Sequence, residues 1–284
     1  MARKPFLFRS RRLPPGASGA RIDITPKKAG WKWIRFVIRQ LPAGGTWTVN
    51  TDGDEVCLVL LAGAFRARVG NGEYLIGPRR GVFDDYPHAL YLPPGPRVRI
   101  DADVACELAE CRVPSRKQME PRVIRPEDCG YEIRGGGNAT RQIVDIIRPD
   151  FPADRLLICE VFTPSGNWSS YPPHKHDVDN PPLEADLDEI YYFRFRDPNG
   201  YGFQRLYGPR HDETLKVEDG DVAVIRDGYH PFVTAYGYDA YYLNVLAGSR
   251  RSMAATDDPR YAIHRRNWPP ADPRLPLVKP PSIG

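Results

Sequence analysis

Five cysteines (Cys57, Cys106, Cys111, Cys129 and Cys159) make an odd number, and no two of them stand in a CxxC spacing. That argues against a thiolate zinc site and against a disulfide framework, so they are read as reduced, mostly buried thiols. No apolar run approaches the roughly 20 residues that a membrane helix needs. The basic N-terminus, MARKPFLFRSRRLPPG, lacks the apolar segment and small-residue cleavage site of a signal peptide, and a cytoplasmic location is expected by default. Charge of one sign is also lacking. Forty Lys and Arg against 36 Asp and Glu leave +4 over 284 residues, interspersed and not gathered into a stripe, which excludes the electrostatic footprint of a nucleic-acid binder. Arg9, Arg11 and Arg12 read as a solvated arm. Gly135-Gly136-Gly137 fits neither a P-loop nor a dinucleotide fingerprint, so residues 114–138 read as a flexible connection.

What the chain does have is punctuation. Thirty prolines and 25 glycines separate short runs rich in Val, Ile, Tyr and Phe, while long amphipathic helices are scarce. This is the pattern of an all-β sandwich or barrel, not of alternating βα units. Residues 31–113 hold one set of predicted strands and residues 156–246 another, giving an expected division into domains 1–135 and 136–284. The second ends in a Pro-rich tail, WPPADPRLPLVKPPSIG, expected to lie as an extended arm on the body or on a partner subunit.

The two sets resemble each other. Gly45-Thr46-Trp47 followed by Asp54-Glu55-Val56 parallels Gly166-Asn167-Trp168 followed by Asp188-Glu189-Ile190, and the run from Leu90 to Arg97 parallels the run from Val222 to His230. A weak repeat of this length implies two copies of one β-domain. Only the second copy carries His174-Lys175-His176, whose i, i+2 spacing sends both imidazoles to one face of an extended strand. Glu189 opens the next strand and His230 follows Gly228-Tyr229. Three imidazoles and a carboxylate suit a divalent transition metal such as zinc, manganese, iron or nickel. The first copy offers Glu55 without imidazoles, and Arg97 falls where His230 stands, so it is expected to bind no metal.

An HxH pair, a Glu opening a strand, the turn Gly220-Asp221 and a last His after a glycine resemble the two-part signature of cupins, here duplicated as a bicupin: two tandem double-stranded β-helix (jelly-roll) domains. Within cupins, NWSSYPPHKHD (167–177), EIYYFRF (189–195), DGDVAVIRDGYHP (219–231) and GYDAYYLNVLAG (237–248) resemble the 5-deoxy-glucuronate isomerase family of inositol catabolism. AGWKWIRF, DEVCLVLLAG and LYLPPG match in the first half, and the resemblance runs from about Arg3 to about Trp268. It implies a metal-dependent aldose–ketose isomerisation of 5-deoxy-glucuronate to 5-keto-2-deoxy-gluconate. The ligands it implies are His174, His176, Glu189 and His230, around one divalent ion, zinc or manganese ahead of iron or nickel. One departure is the insert 177–188, which lengthens the gap between His176 and Glu189 and leaves Glu184 and Asp188 as rival ligands.

Such a reaction needs a proton shuttle and a cation for the substrate carboxylate. Alternation places Tyr191 on the face of Glu189, as pocket wall and proton donor or as a packed core tyrosine. Tyr242 and Asn244 share a face of the last strand. Arg205 is the candidate carboxylate clamp, against the alternative of a solvated strand arginine. His88, His211 and His264 read as structural, with His211 a candidate for the pocket rim. The partner is then a small sugar acid, with no nucleic acid or membrane; a homo-oligomer through exposed sheet edges stays open. An iron-dependent cupin dioxygenase would use the same ligands, and a sugar-binding bicupin without catalysis would use the same fold.

Overall fold

In the computed structural model, which describes residues 4–14 and 16–281, the chain folds as two β-barrels packed against each other. Helix is confined to single turns at Pro26–Ala29, Pro126–Asp128 and Ala262–Arg266, and no described helix is long and apolar enough to cross a membrane. The all-β, tandem-barrel architecture is the one expected.

The C-terminal barrel is built on a seven-stranded antiparallel sheet. Its order is Leu7–Phe8, Val222–Ile225, Leu187–Phe195, Ala240–Gly248, Leu157–Thr163, Arg141–Ile147 and Gly130–Arg134. A four-stranded sheet of Trp168–Ser169, Phe232–Thr234, Tyr201–Gly208 and His211–Glu218 forms the opposite wall. The N-terminal barrel repeats this plan, with Asp54–Val69 long enough to run through both of its walls and to pair with strands of each.

Two short strands cross the expected division at residue 135. Gly130–Arg134 pairs with Arg141–Ile147, so residue 135 lies in a hairpin of the C-terminal sheet, and Leu7–Phe8 pairs with Val222–Ile225. The connection around Gly135 is thus turn, and the first described residues belong to the far barrel.

Continuous apolar runs such as Ala240–Gly248 arise because the large sheet is buried on both faces. Odd-numbered Tyr191, Phe193 and Ala223, with Tyr242, fill the barrel interior. Their neighbours Tyr192, Val224, Tyr241, Leu243 and Val245 pack instead with Phe36, Cys57 and Tyr91 of the other barrel in one shared core. Within that core Arg79 and Glu160, neither exposed, form a two-pronged ion pair at 2.8 and 2.8 Å, and Tyr241 donates to the same carboxylate at 2.9 Å.

The tail lies on the body. Gln142 donates to the Val278 carbonyl at 2.7 Å and accepts from Leu277 at 2.9 Å, and Val278 is buried. The last three residues of the expected arm lie outside the described residues.

Candidate metal centre

His174 and His176 enter the barrel on a short extended segment held by two neighbours. Thr256–Asp257 pairs with His174–Lys175, and the acidic insert folds back beneath it. Lys175 points away from the imidazoles, donating to Asp177 at 2.6 Å and Glu184 at 2.7 Å. Glu184 also accepts from the backbone of Asp177 and Val178 at 2.9 and 3.0 Å, so this rival ligand is used in holding the insert. The other, Asp188, faces the N-terminal barrel and accepts from Trp33 and Lys32 at 2.6 and 3.1 Å. Glu189, one residue on, faces inward by strand alternation.

His230 is brought in by the turn after Val222–Ile225. Gly228 has φ +80°, and a Cβ there would lie 2.4 Å from the Tyr207 carbonyl, so only glycine fits. Asp177 accepts from the Gly228 N–H at 2.8 Å, tying the insert to this turn.

The ligand atoms of His176, Glu189 and His230 all lie within 4.8 Å of one another and are buried. Glu189 Oε2 is 2.9 Å from His176 Nε2 and 3.1 Å from His230 Nε2. The His174 ring stands at the edge of this trio, 4.7 Å from the His230 ring and 6.4 Å from that of His176, on the wall of the same cavity.

Each imidazole is oriented by a backbone carbonyl: His174 Nδ1 to Pro172, His176 Nδ1 to Leu187 and His230 Nδ1 to Gly228, all at 3.2 Å. A carbonyl oxygen only accepts, so Nδ1 carries the proton and Nε2 keeps its lone pair. His230 Nε2 is buried without a hydrogen-bond partner. Lone pairs gathered so tightly around a carboxylate need a cation or a proton among them, and the donor set fits a divalent metal. Burial, joined by the neighbouring imidazoles, pushes His174 well below the ordinary histidine range; burial also pushes His230 down. Burial opposes charge on His176 too, but Glu189 prevails and raises it. For Glu189 burial is outweighed by His230 and His176, which bring it down to about 2.

The cavity, about 250 Å³, is also walled by Tyr191, Tyr242, Asn244, Cys159 and Arg141. Tyr191 and Tyr242 stack at 4.2 Å and share Ser170 Oγ, at 2.6 and 3.4 Å. Asn244 Oδ1 is buried and without a partner. Arg205 is not there. Alternation on Tyr201–Gly208 turns Gln204 and Leu206 inward and Arg205 outward, where it is paired with Asp212 at 2.7 and 2.8 Å and lines a separate groove with Trp168, Tyr207 and His264. His211 lines a third cleft with Asp227, and His88 a fourth. Arg141 was missed by sequence reasoning because no motif surrounds it.

Glu55 does not mirror Glu189. It faces the junction of the barrels, accepting from Tyr91 Oη at 2.8 Å and from the N–H groups of Asp154, Arg155 and Leu156 at 2.8, 2.6 and 2.8 Å.

Residues 7–264 match the KduI/IolB family. A 5-deoxy-glucuronate isomerase of Geobacillus kaustophilus is 40% identical over 250 residues, covering 86% of this chain and 90% of that protein. The protein of the same name from Bacillus subtilis strain 168 is 34% identical over 263 residues, 90% of this chain and 97% of its own. The crystal structure of an IolB-like protein from Salmonella typhimurium LT2 superposes with a TM-score of 0.87 at 36% identity, covering 92% of this chain and 99% of that one. Oxalate decarboxylase of Lactobacillus farciminis shares the fold alone, with a TM-score of 0.66 at 13% identity over 90% of this chain and 89% of its own.

Proposed function

From the premise that the chain belongs to the KduI/IolB family, we propose that it isomerises 5-deoxy-glucuronate to 5-keto-2-deoxy-gluconate at a metal centre held by His174, His176, Glu189 and His230. The observation that carries the metal reading is the set of three rings whose Nδ1 atoms all face backbone carbonyls, with the Nε2 of His230 orphaned beside Glu189.

The reaction removes a proton from the carbon next to the aldehyde and returns one to the aldehyde carbon, passing through an enediol. A bound divalent cation, zinc or manganese first among the ions this donor set suits, supplies Lewis-acid stabilisation of the developing negative charge. The chain's residues do the rest. Tyr242, whose phenol burial pushes up to about 12, stays protonated at neutral pH, and its hydroxyl is held by Ser169 at 3.1 Å. With Tyr191 it presents protonated hydroxyls on the cavity wall, where proton movement between adjacent carbons needs a donor. Asn244 Oδ1 is free to accept from a substrate hydroxyl.

The test is His174→Ala, assayed for aldehyde loss from 5-deoxy-glucuronate and for bound metal. The expected result is loss of both, with the fold intact by circular dichroism; full activity with undiminished metal removes His174 from the centre. Chelation of the wild-type protein with turnover unimpaired overturns the metal dependence.

A further inference from the structure

Arg141 begins the strand Arg141–Ile147 and is 4% exposed. Alternation turns Arg141, Ile143 and Asp145 into the barrel, where all three line the cavity of the metal centre. Its Nη1 donates to two backbone carbonyls, Tyr171 at 2.9 Å and Ala139 at 3.2 Å. Among the described residues no carboxylate is paired with it.

The neighbouring cations add to the cost of burying it. Arg134 and Arg265 bear on it, each already paired, with Glu132 and Asp257. Burial, with those neighbours, brings the guanidinium down to about 10, which still leaves it charged at neutral pH. Arg79 shows what the same molecule does with a buried arginine that serves structure: it is given Glu160 in a bidentate pair at 2.8 Å. A buried cation left without a counter-ion is costly, and a chain retains one where the anion arrives from outside.

We propose that Arg141 holds the carboxylate of the sugar acid, fixing the substrate with its aldehyde end toward the imidazole and Glu189 cluster, and so selects uronates over neutral aldoses. This rests on the isomerase reading. A hexuronate carries its carboxylate and its aldehyde at opposite ends, so one anchor and one reaction centre on the wall of a single cavity match it. A guanidinium fork meets a carboxylate with two parallel, charge-assisted hydrogen bonds.

The experiment compares metal-loaded wild type, Arg141→Gln and Arg141→Lys on 5-deoxy-glucuronate and on its uncharged methyl ester. Wild type is expected to prefer the acid by about 10²-fold or more in kcat/KM, the worth of a charge-assisted pair in a buried site. In Arg141→Gln the preference falls to near one, chiefly through KM, because the anchor is equally present in ground and transition states. Arg141→Lys, which keeps the charge without the fork, is expected to fall between, and it reads the same ratio should Arg141→Gln fail to fold. Calorimetry gives a readout independent of turnover: D-glucuronate binds wild type and D-glucose does not, and the difference disappears in Arg141→Gln. A variant that turns over the acid with unaltered KM and unaltered preference overturns the anchor while the isomerase stands. Metal-loaded wild type that binds D-glucuronate through Arg141 yet leaves 5-deoxy-glucuronate unchanged overturns the isomerase while the anchor stands. Wild type that does neither overturns both.

Discussion

Val56 occupies in the N-terminal barrel the position that Glu189 occupies in the C-terminal one. Val56 lies opposite Leu92 and Arg112, and Glu189 lies opposite the corresponding Ile225 and Leu246. Val56 faces the core of its barrel, among Leu58, Leu60 and Leu92, so an isopropyl group stands where the other barrel has a carboxylate. Glu55 is one residue away and therefore on the opposite face, where it joins the barrels.

That assignment gives Glu55 a measurable structural duty. It is fully buried and accepts from three backbone N–H groups and one phenol. Glu55→Gln turns an acceptor into a donor against those N–H groups and is expected to cost about 3 kcal/mol or more of stability. Denaturant midpoints measure the loss, and metal content per folded chain stays at the wild-type value.

Replacing Glu189 by Ala leaves His176 and His230 without their shared carboxylate, at 2.9 and 3.1 Å in the wild type. Metal content is expected to fall to near zero. Turnover falls by about 10³-fold or more, the several kcal/mol of transition-state stabilisation that a Lewis acid supplies. Elemental analysis of the purified protein beside the aldehyde assay checks both.

Tyr242 bears on the pH profile. Burial raises its phenol to about 12, so the hydroxyl remains a donor throughout the neutral and mildly alkaline range. Tyr242→Phe is expected to lower kcat by about 10²-fold or more. Rates measured from pH 6 to 10 should show no alkaline limb in wild type that the substitution abolishes; such a limb near pH 9 would mean that the phenol titrates there and is not raised by burial, whereas an unaltered kcat in Tyr242→Phe removes the tyrosine from proton transfer.

The ion pair of Arg79 and Glu160 joins the two barrels inside one core. Arg79→Met alone strands a buried carboxylate and is expected to cost about 3–5 kcal/mol, whereas Arg79→Met with Glu160→Met is expected to recover most of the loss. A double-mutant cycle on thermal or denaturant unfolding reads the coupling.

The grouping of these side chains, though not what they hold, was legible before the fold. The i, i+2 spacing turns His174 and His176 into one cavity, and the family resemblance implies Glu189 as the carboxylate; its rivals Glu184 and Asp188 have other partners. The comparison of Glu55 with Glu189 failed for a physical reason. Side chains alternate with a period of two, so a one-residue error in aligning two β copies reverses the face. Arg205 failed on the same alternation, since its strand belongs to the smaller sheet and turns it outward. Arg141 could not be found in the sequence at all, because what distinguishes it is the lack of a partner, and that is defined only once every neighbouring carboxylate has been placed.

The pairing of Thr256–Asp257 with His174–Lys175 also sets a timetable. A chain emerging from the ribosome presents both histidines of the HxH pair at least 80 residues before the strand that braces them. The HxH segment therefore stays unbraced until Thr256–Asp257 has followed it into place, whatever the rest of the barrel has already formed.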